Sequence, residues 1–158
     1  MVGISSDIGA SCLYVANNAT NYPFECPSLD LNYKCRCNDS AFLGTILICI
    51  DEVSETVESV SNSYNYIIDV CSLQAHKKYS FRNLVNIFEN ASNNLVEYND
   101  YLNDYNSMDF TYLNYPVRIP QDQYNIAYDS ISSLLNHRIT STKFGYFFTK
   151  KTKQNKKI

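Results

Sequence analysis

The sequence has no tryptophan, four glycines, four prolines and two histidines in 158 residues. It contains no Gly-rich loop of the kind that cradles phosphates or a dinucleotide. The two histidines, His76 and His137, stand alone on expected helix ends, where a solvated imidazole is the default. Structural zinc sites show two close ligand pairs. Here one CxC, Cys35 and Cys37, has no second pair to answer it, so the spacings argue against zinc. CxC is not CxxC, and no βαβ pattern surrounds it, which makes a thioredoxin-like centre weaker still. Catalytic cysteine chemistry needs a positioned base, and nothing in the local sequence ties either histidine to a cysteine.

Long apolar runs are also missing. The most apolar stretch, residues 41–50, is ten residues long and includes Gly44 and Thr45. A membrane-spanning helix needs roughly 20. The opening MVGISSDIGASCLYVANNAT has neither a basic leader nor a sustained apolar core, so it does not read as a signal peptide. Charge is sparse at 18%, against roughly 25% in average globular chains. The net charge of −3 hides an asymmetry. Lys143, Lys150, Lys151, Lys153, Lys156 and Lys157 crowd residues 143–158, which contain no acid. Residues 1–142 keep seven bases against 16 acids, a net of −9. Such a body repels a phosphate backbone, which excludes nucleic acid as its partner. The basic tail, 143–158, is expected to be a disordered, solvated terminus.

Helical periodicity fills much of what remains. Leu43, Ile46, Ile50, Val53, Val57 and Val60 recur at spacings of three and four, one helical face, with Ser40 as its expected cap. Asp51, Glu52, Glu55 and Glu58 fall off that face and should be solvated. Ser61, Asn62 and Ser63 read as a turn into a second helix, 64–75. A third is expected from about Ser80, its cap, to Tyr98, and a fourth from after Pro120 to about His137. Residues 1–40 look irregular, 99–114 read as a loop, and PVRIP at 116–120 is extended because proline disfavours helix in the residue before it. The fold class is mainly α, about four helices with an irregular, disulfide-stapled N-terminal segment. Residues 1–142 form the single domain.

The cysteines are Cys12, Cys26, Cys35, Cys37, Cys49 and Cys71, an even count concentrated in the loop-rich N-terminal third. A disulfide framework fits that pattern better than free thiols. Six cysteines allow fifteen connectivities. Cys35 and Cys37 are too close to bridge each other comfortably. If the first two helices form a hairpin turning near Asn62, Cys49 and Cys71 face one another. Sequons occur at Asn18, Asn38 and Asn90, about as many as chance yields from this Asn, Ser and Thr content.

The order Cys12, Cys26, Cys35-Arg36-Cys37, then Asn38, Phe42-Leu43-Gly44, Cys49 and Cys71, resembles the N-terminal exocytoplasmic domain of fungal ferric/cupric-chelate reductases. An Asn-Ala-Ser sequon at 90–92, a Tyr-rich loop, a Pro-containing link and Phe144-Gly145-Tyr146 extend the likeness over residues 12–147. The resemblance implies a glycosylated cell-surface module linked to reductive iron and copper uptake. It implies as partners a membrane reductase or metal chelates. In full-length members the haem sits in a membrane core, and FAD and NADPH bind a cytosolic domain. This chain carries none of those sites, so the resemblance implies a truncated form without activity of its own and with no catalytic or metal-binding residue. The alternative is a secreted cysteine-rich glycoprotein acting as a binding module. If the N-terminus as written is genuine, the location is instead cytoplasmic, with reduced thiols.

Three bridges would lower the mass by six hydrogens and leave nothing to alkylate. Mass spectrometry of the folded protein, made through a secretory pathway and left unreduced, should find that. Six alkylatable thiols would refute the framework.

Overall fold

The structure, a computed structural model, describes residues 6–17, 33–97 and 115–146, with backbone alone for 135–146. It is mainly helical. The elements are α1 (Asp7–Ala16), a 3-10 turn (Arg36–Asn38), α2 (Ser40–Val53), α3 (Val57–Ala75), α4 (Phe81–Ser92) and α5 (Gln121–Tyr146). Among the described residues, one parallel β-bridge joins Val96 to Val117.

α2 lies at the centre. Every residue from 41 to 50 is buried. The periodic stripe had suggested an amphipathic helix with one dry face, but this helix is dry all round. A helix apolar on every side belongs inside a bundle, and α1, α3 and α4 pack around it. Ile46, Leu47 and Ile50 are fully covered, each worth about 1.5–3 kcal/mol against exposure. Asp51, Glu52, Glu55 and Glu58 are exposed, as the pattern required.

The first helix break lies elsewhere than expected. α2 ends at Val53, Ser54 turns extended, and Thr56 caps α3 by accepting from the Ser59 amide at 3.0 Å. Residues 61–63 sit inside α3. Ser63 is buried, its Oγ 2.8 Å from that of Ser6. Serines and asparagine read as a turn in isolation, but tertiary burial keeps them helical. Val57, assigned to the dry stripe, is 87% exposed at the start of α3.

Other boundaries also moved. Asp39, not Ser40, caps α2, its Oδ1 accepting from the Ala41 and Phe42 amides. The N-terminal segment is not wholly irregular, because residues 7–16 form α1. Ser6 caps that helix through the Gly9 amide at 2.9 Å, and Cys12, Leu13, Val15 and Ala16 enter the core. α4 stops at Ser92 rather than Tyr98, because Val96 leaves to bridge the extended segment 116–118. Ser80 caps α4 as expected, in a reciprocal box with Asn83. α5 runs beyond His137 to Tyr146. The 99–114 loop lies outside the described residues.

The cysteine pairing corrects the expectation for Cys49 and Cys71. Cys12 joins Cys49, and Cys37 joins Cys71. With the hairpin turning at residues 54–56, Cys49 and Cys71 differ by about ten residues in distance from the turn, roughly 15 Å along the axis. Both bonds are buried. They close separations of 37 and 34 residues, each worth about 4 kcal/mol in the chain-entropy picture. Cys35 is also disulfide-bonded. Cys26 lies outside the described residues.

Two contacts fix how the layers meet. At Gly44 α2 and α4 approach closely: a Cβ there would stand 2.7 Å from the Ala91 Cβ. Thr45 is buried, donating to the Ala41 carbonyl at 2.8 Å and accepting from the Val117 amide at 3.0 Å. Its hydroxyl thus satisfies a backbone donor of the extended segment 116–118 inside the core.

Gly44→Ala is expected to destabilise by about 1–2 kcal/mol, because overpacking outweighs the gain in helix propensity. Ala91→Gly in the same chain should recover part of that in a double-mutant cycle. Thr45→Val should cost about 1–3 kcal/mol by stranding the Val117 amide. Urea denaturation reads all three.

Candidate functional site

A concavity lies where three helices begin. Ser6 starts α1, Thr56 starts α3, and Gln121 starts α5, while α2 ends beside them. Between them runs a groove of about 660 Å³ whose lining includes Ile8, Glu52, Glu55, Tyr124 and Tyr128. A second hollow of about 440 Å³ adjoins it, reached by Asp7, Glu58 and Asn62. Ile8, Thr56, Ser59 and Tyr128 are common to both.

The acids here have local reasons. Asp7 and Glu58 occupy the first turns of α1 and α3, where a negative charge meets the positive end of the helix dipole. Asp7 also accepts from the Ser132 hydroxyl at 3.0 Å, tying α1 to α5. Arg118 sits nearby on the extended segment before α5, paired with both Glu52 and Glu97. The groove therefore attracts cationic groups and offers hydrogen-bond acceptors. It contains no thiol and no imidazole. Among the described residues, no group of three or more His, Cys, Asp or Glu is placed to hold a metal ion.

Tyrosines supply the apolar half of the lining. Tyr124 is 7% exposed, and its phenol is pushed up to about 12, chiefly by burial, then by Tyr128 and Asp7. Tyr64 lies above the usual phenol range as well, through burial and then Asp51.

The residues singled out in the sequence do not converge on this groove. Cys12, Cys37, Cys49 and Cys71 form the two core disulfides. Asn38 is exposed in the 3-10 turn, its amide donating to the Lys34 carbonyl at 2.8 Å. Asn90 is exposed on α4, its carbonyl accepting from the Asn94 side chain. Asn18 lies outside the described residues. His76 is exposed and ends α3 in the left-handed region, φ 54°. His137 falls within α5 rather than at its end, and its side chain is outside the description. Sequence reading missed the groove because its acids look like ordinary solvated positions. Their convergence depends on where α2 ends and where α1 and α3 begin, which is visible in sequence only once those boundaries are known.

No family model, curated protein or solved structure matches this chain. No helix among the described residues is long and apolar enough to cross a membrane.

A phenol with a raised folded-state pKa stabilises the fold up to the unfolded value near 10, and that contribution is lost as pH rises through the folded value. Stability is therefore expected to fall between pH 10 and about 12, read by circular dichroism alongside tyrosinate absorbance. Tyr124→Phe should flatten that slope. An unchanged slope would remove Tyr124 as a contributor.

Proposed function

We propose that this chain is a ferric-chelate-reductase-like ectodomain: a disulfide-bonded helical module that works by association and carries no chemistry of its own. The observation that carries the reading is the six-cysteine order with its CxC, Leu-Gly and downstream cysteines. The burial of the Cys12–Cys49 and Cys37–Cys71 bonds supports it. Disulfides in a core belong to an oxidising compartment, which favours the cell surface or the extracellular space. On this reading haem, FAD and NADPH reside in a partner reductase, and the module presents or filters iron and copper chelates near it.

A second reading has an observation of its own. Asn38 and Asn90 are both exposed, which favours a secreted cysteine-rich glycoprotein that binds something unrelated to a reductase.

Co-expression of the tagged chain, through a secretory pathway, with a haem-containing membrane reductase separates the two. Retention of haem absorbance on the tagged chain is expected, as is no NADPH-dependent ferric reduction by the chain alone. A chain that carries no haem with it, yet shrinks on glycosidase treatment, would replace the first reading with the second.

A further inference from the structure

We propose that the groove among the starts of α1, α3 and α5 binds a linear aliphatic polyamine, one end held in each of its two adjoining hollows. The larger hollow, about 660 Å³, falls within the usual range for small-ligand sites, about 300–1,000 Å³. Each hollow has carboxylates of its own: Glu55 beside Glu52 in the larger, Asp7 and Glu58 in the smaller. The wall that the two share includes Ile8 and Tyr128. Two acidic ends joined by an apolar bridge are the complement of two ammonium groups joined by methylenes.

Three of these carboxylates have no ion-pair partner. Among the described residues the ion pairs are those of Arg118 with Glu52 and Glu97. Asp7, Glu55 and Glu58 take part in none, and Glu55 and Glu58 are exposed. Asp7 accepts from the Ser132 hydroxyl through Oδ2 at 3.0 Å, which leaves Oδ1 to meet a ligand. The helix starts oppose a cation here, because each brings roughly half a positive charge. Three half charges do not cancel three full carboxylates, so the field in the groove still favours an ammonium.

A second observation points to a ligand independently of charge. Tyr124 lines the larger hollow and is only 7% exposed, and its hydroxyl has no hydrogen-bond partner among the described residues. Its ring lies 5.7 Å from that of Tyr128 between centres, and Asp7 is near enough to act on its phenol. A buried hydroxyl left so is costly until a partner reaches it. An ammonium N–H can donate to that oxygen while its charge meets Asp7, and the faces of the two tyrosines favour the cation further. A metal ion fits less well. Hard divalent cations take roughly six to eight oxygens, and no group of three or more His, Cys, Asp or Glu among the described residues is placed to hold one. The proposal goes beyond the reductase-like reading and does not rest on it.

The test is isothermal titration calorimetry of spermidine into the full, disulfide-intact chain. Saturable one-to-one binding is expected, weakened by salt. Glu55→Gln with Glu58→Gln should weaken it about tenfold. Both side chains are exposed, so this variant keeps its fold, which thermal melting would confirm. Tyr124→Phe keeps the ring and should weaken binding about threefold. Glu89→Gln with Asp69→Asn removes the same charge away from the groove and should leave the affinity within about twofold. Hexylamine, with one ammonium, should bind about tenfold more weakly than spermidine, and hexanediol should not bind. Failure of spermidine to bind would overturn the proposal. So would an equal loss in the Glu89 and Asp69 variant, or binding of hexylamine or hexanediol as tight as that of spermidine. Tighter binding of calcium that the Glu55 and Glu58 variant abolishes would overturn it too.

Discussion

Burying α2 on every side is the constraint to which the other elements answer. Ten consecutive residues, 41–50, are withdrawn from water. One neighbouring helix cannot cover such a cylinder, so α1, α3 and α4 surround it. The close approach at Gly44 lets α4 lie against α2 without a gap, and interiors packed to crystal-like density leave little room for error there. Thr45 is the one polar side chain inside the buried run. It is tolerated because its hydroxyl answers both its own helix and the Val117 amide.

The disulfides follow from that arrangement. One ties α2 to α1 through Cys49 and Cys12, and the other ties the 3-10 turn ahead of α2 to the last turns of α3 through Cys37 and Cys71. The first holds a helix that would otherwise be joined to α2 only through a long connection. The second holds the start of α2 against the far end of α3, where Lys77 donates its amide back to the Cys71 carbonyl as the helix closes. Neither sulfur pair is open to solvent. Bonds so placed support a fold more than they serve exchange chemistry, which needs thiolate access.

The same geometry sorts the charges. The starts of α1, α3 and α5 gather at one end, and an acid in the first turn of each comes with them. At the other end the Cys37–Cys71 bond brings the stretch with Lys34 and Arg36 to the one with Lys77, Lys78 and Arg82. A body with a net charge of −9 thus presents unlike ends, and functional arguments that rest on net charge alone would miss both.

Much of the local structure was legible in the sequence. The helix periodicity, the Ser80 cap, the solvated acids at 51, 52, 55 and 58, and the extended segment around Pro116 and Pro120 all depend on residues close in the chain, so they could be read from it. The helical class was legible for the same reason. Other features were decided by contacts between distant residues. The turn settled at residues 54–56 because Thr56 could cap there, while Ser63 was wanted in the core beside Ser6. The all-round burial of α2, the choice of Cys12 for Cys49, and the helix at 7–16 each require knowing what lies across the bundle. The sequence by itself determined which segments coil and which faces shun water. Only the tertiary structure decided which cysteines meet and where the charges collect, because pairing and charge placement depend on separations through space that the chain's order does not encode locally.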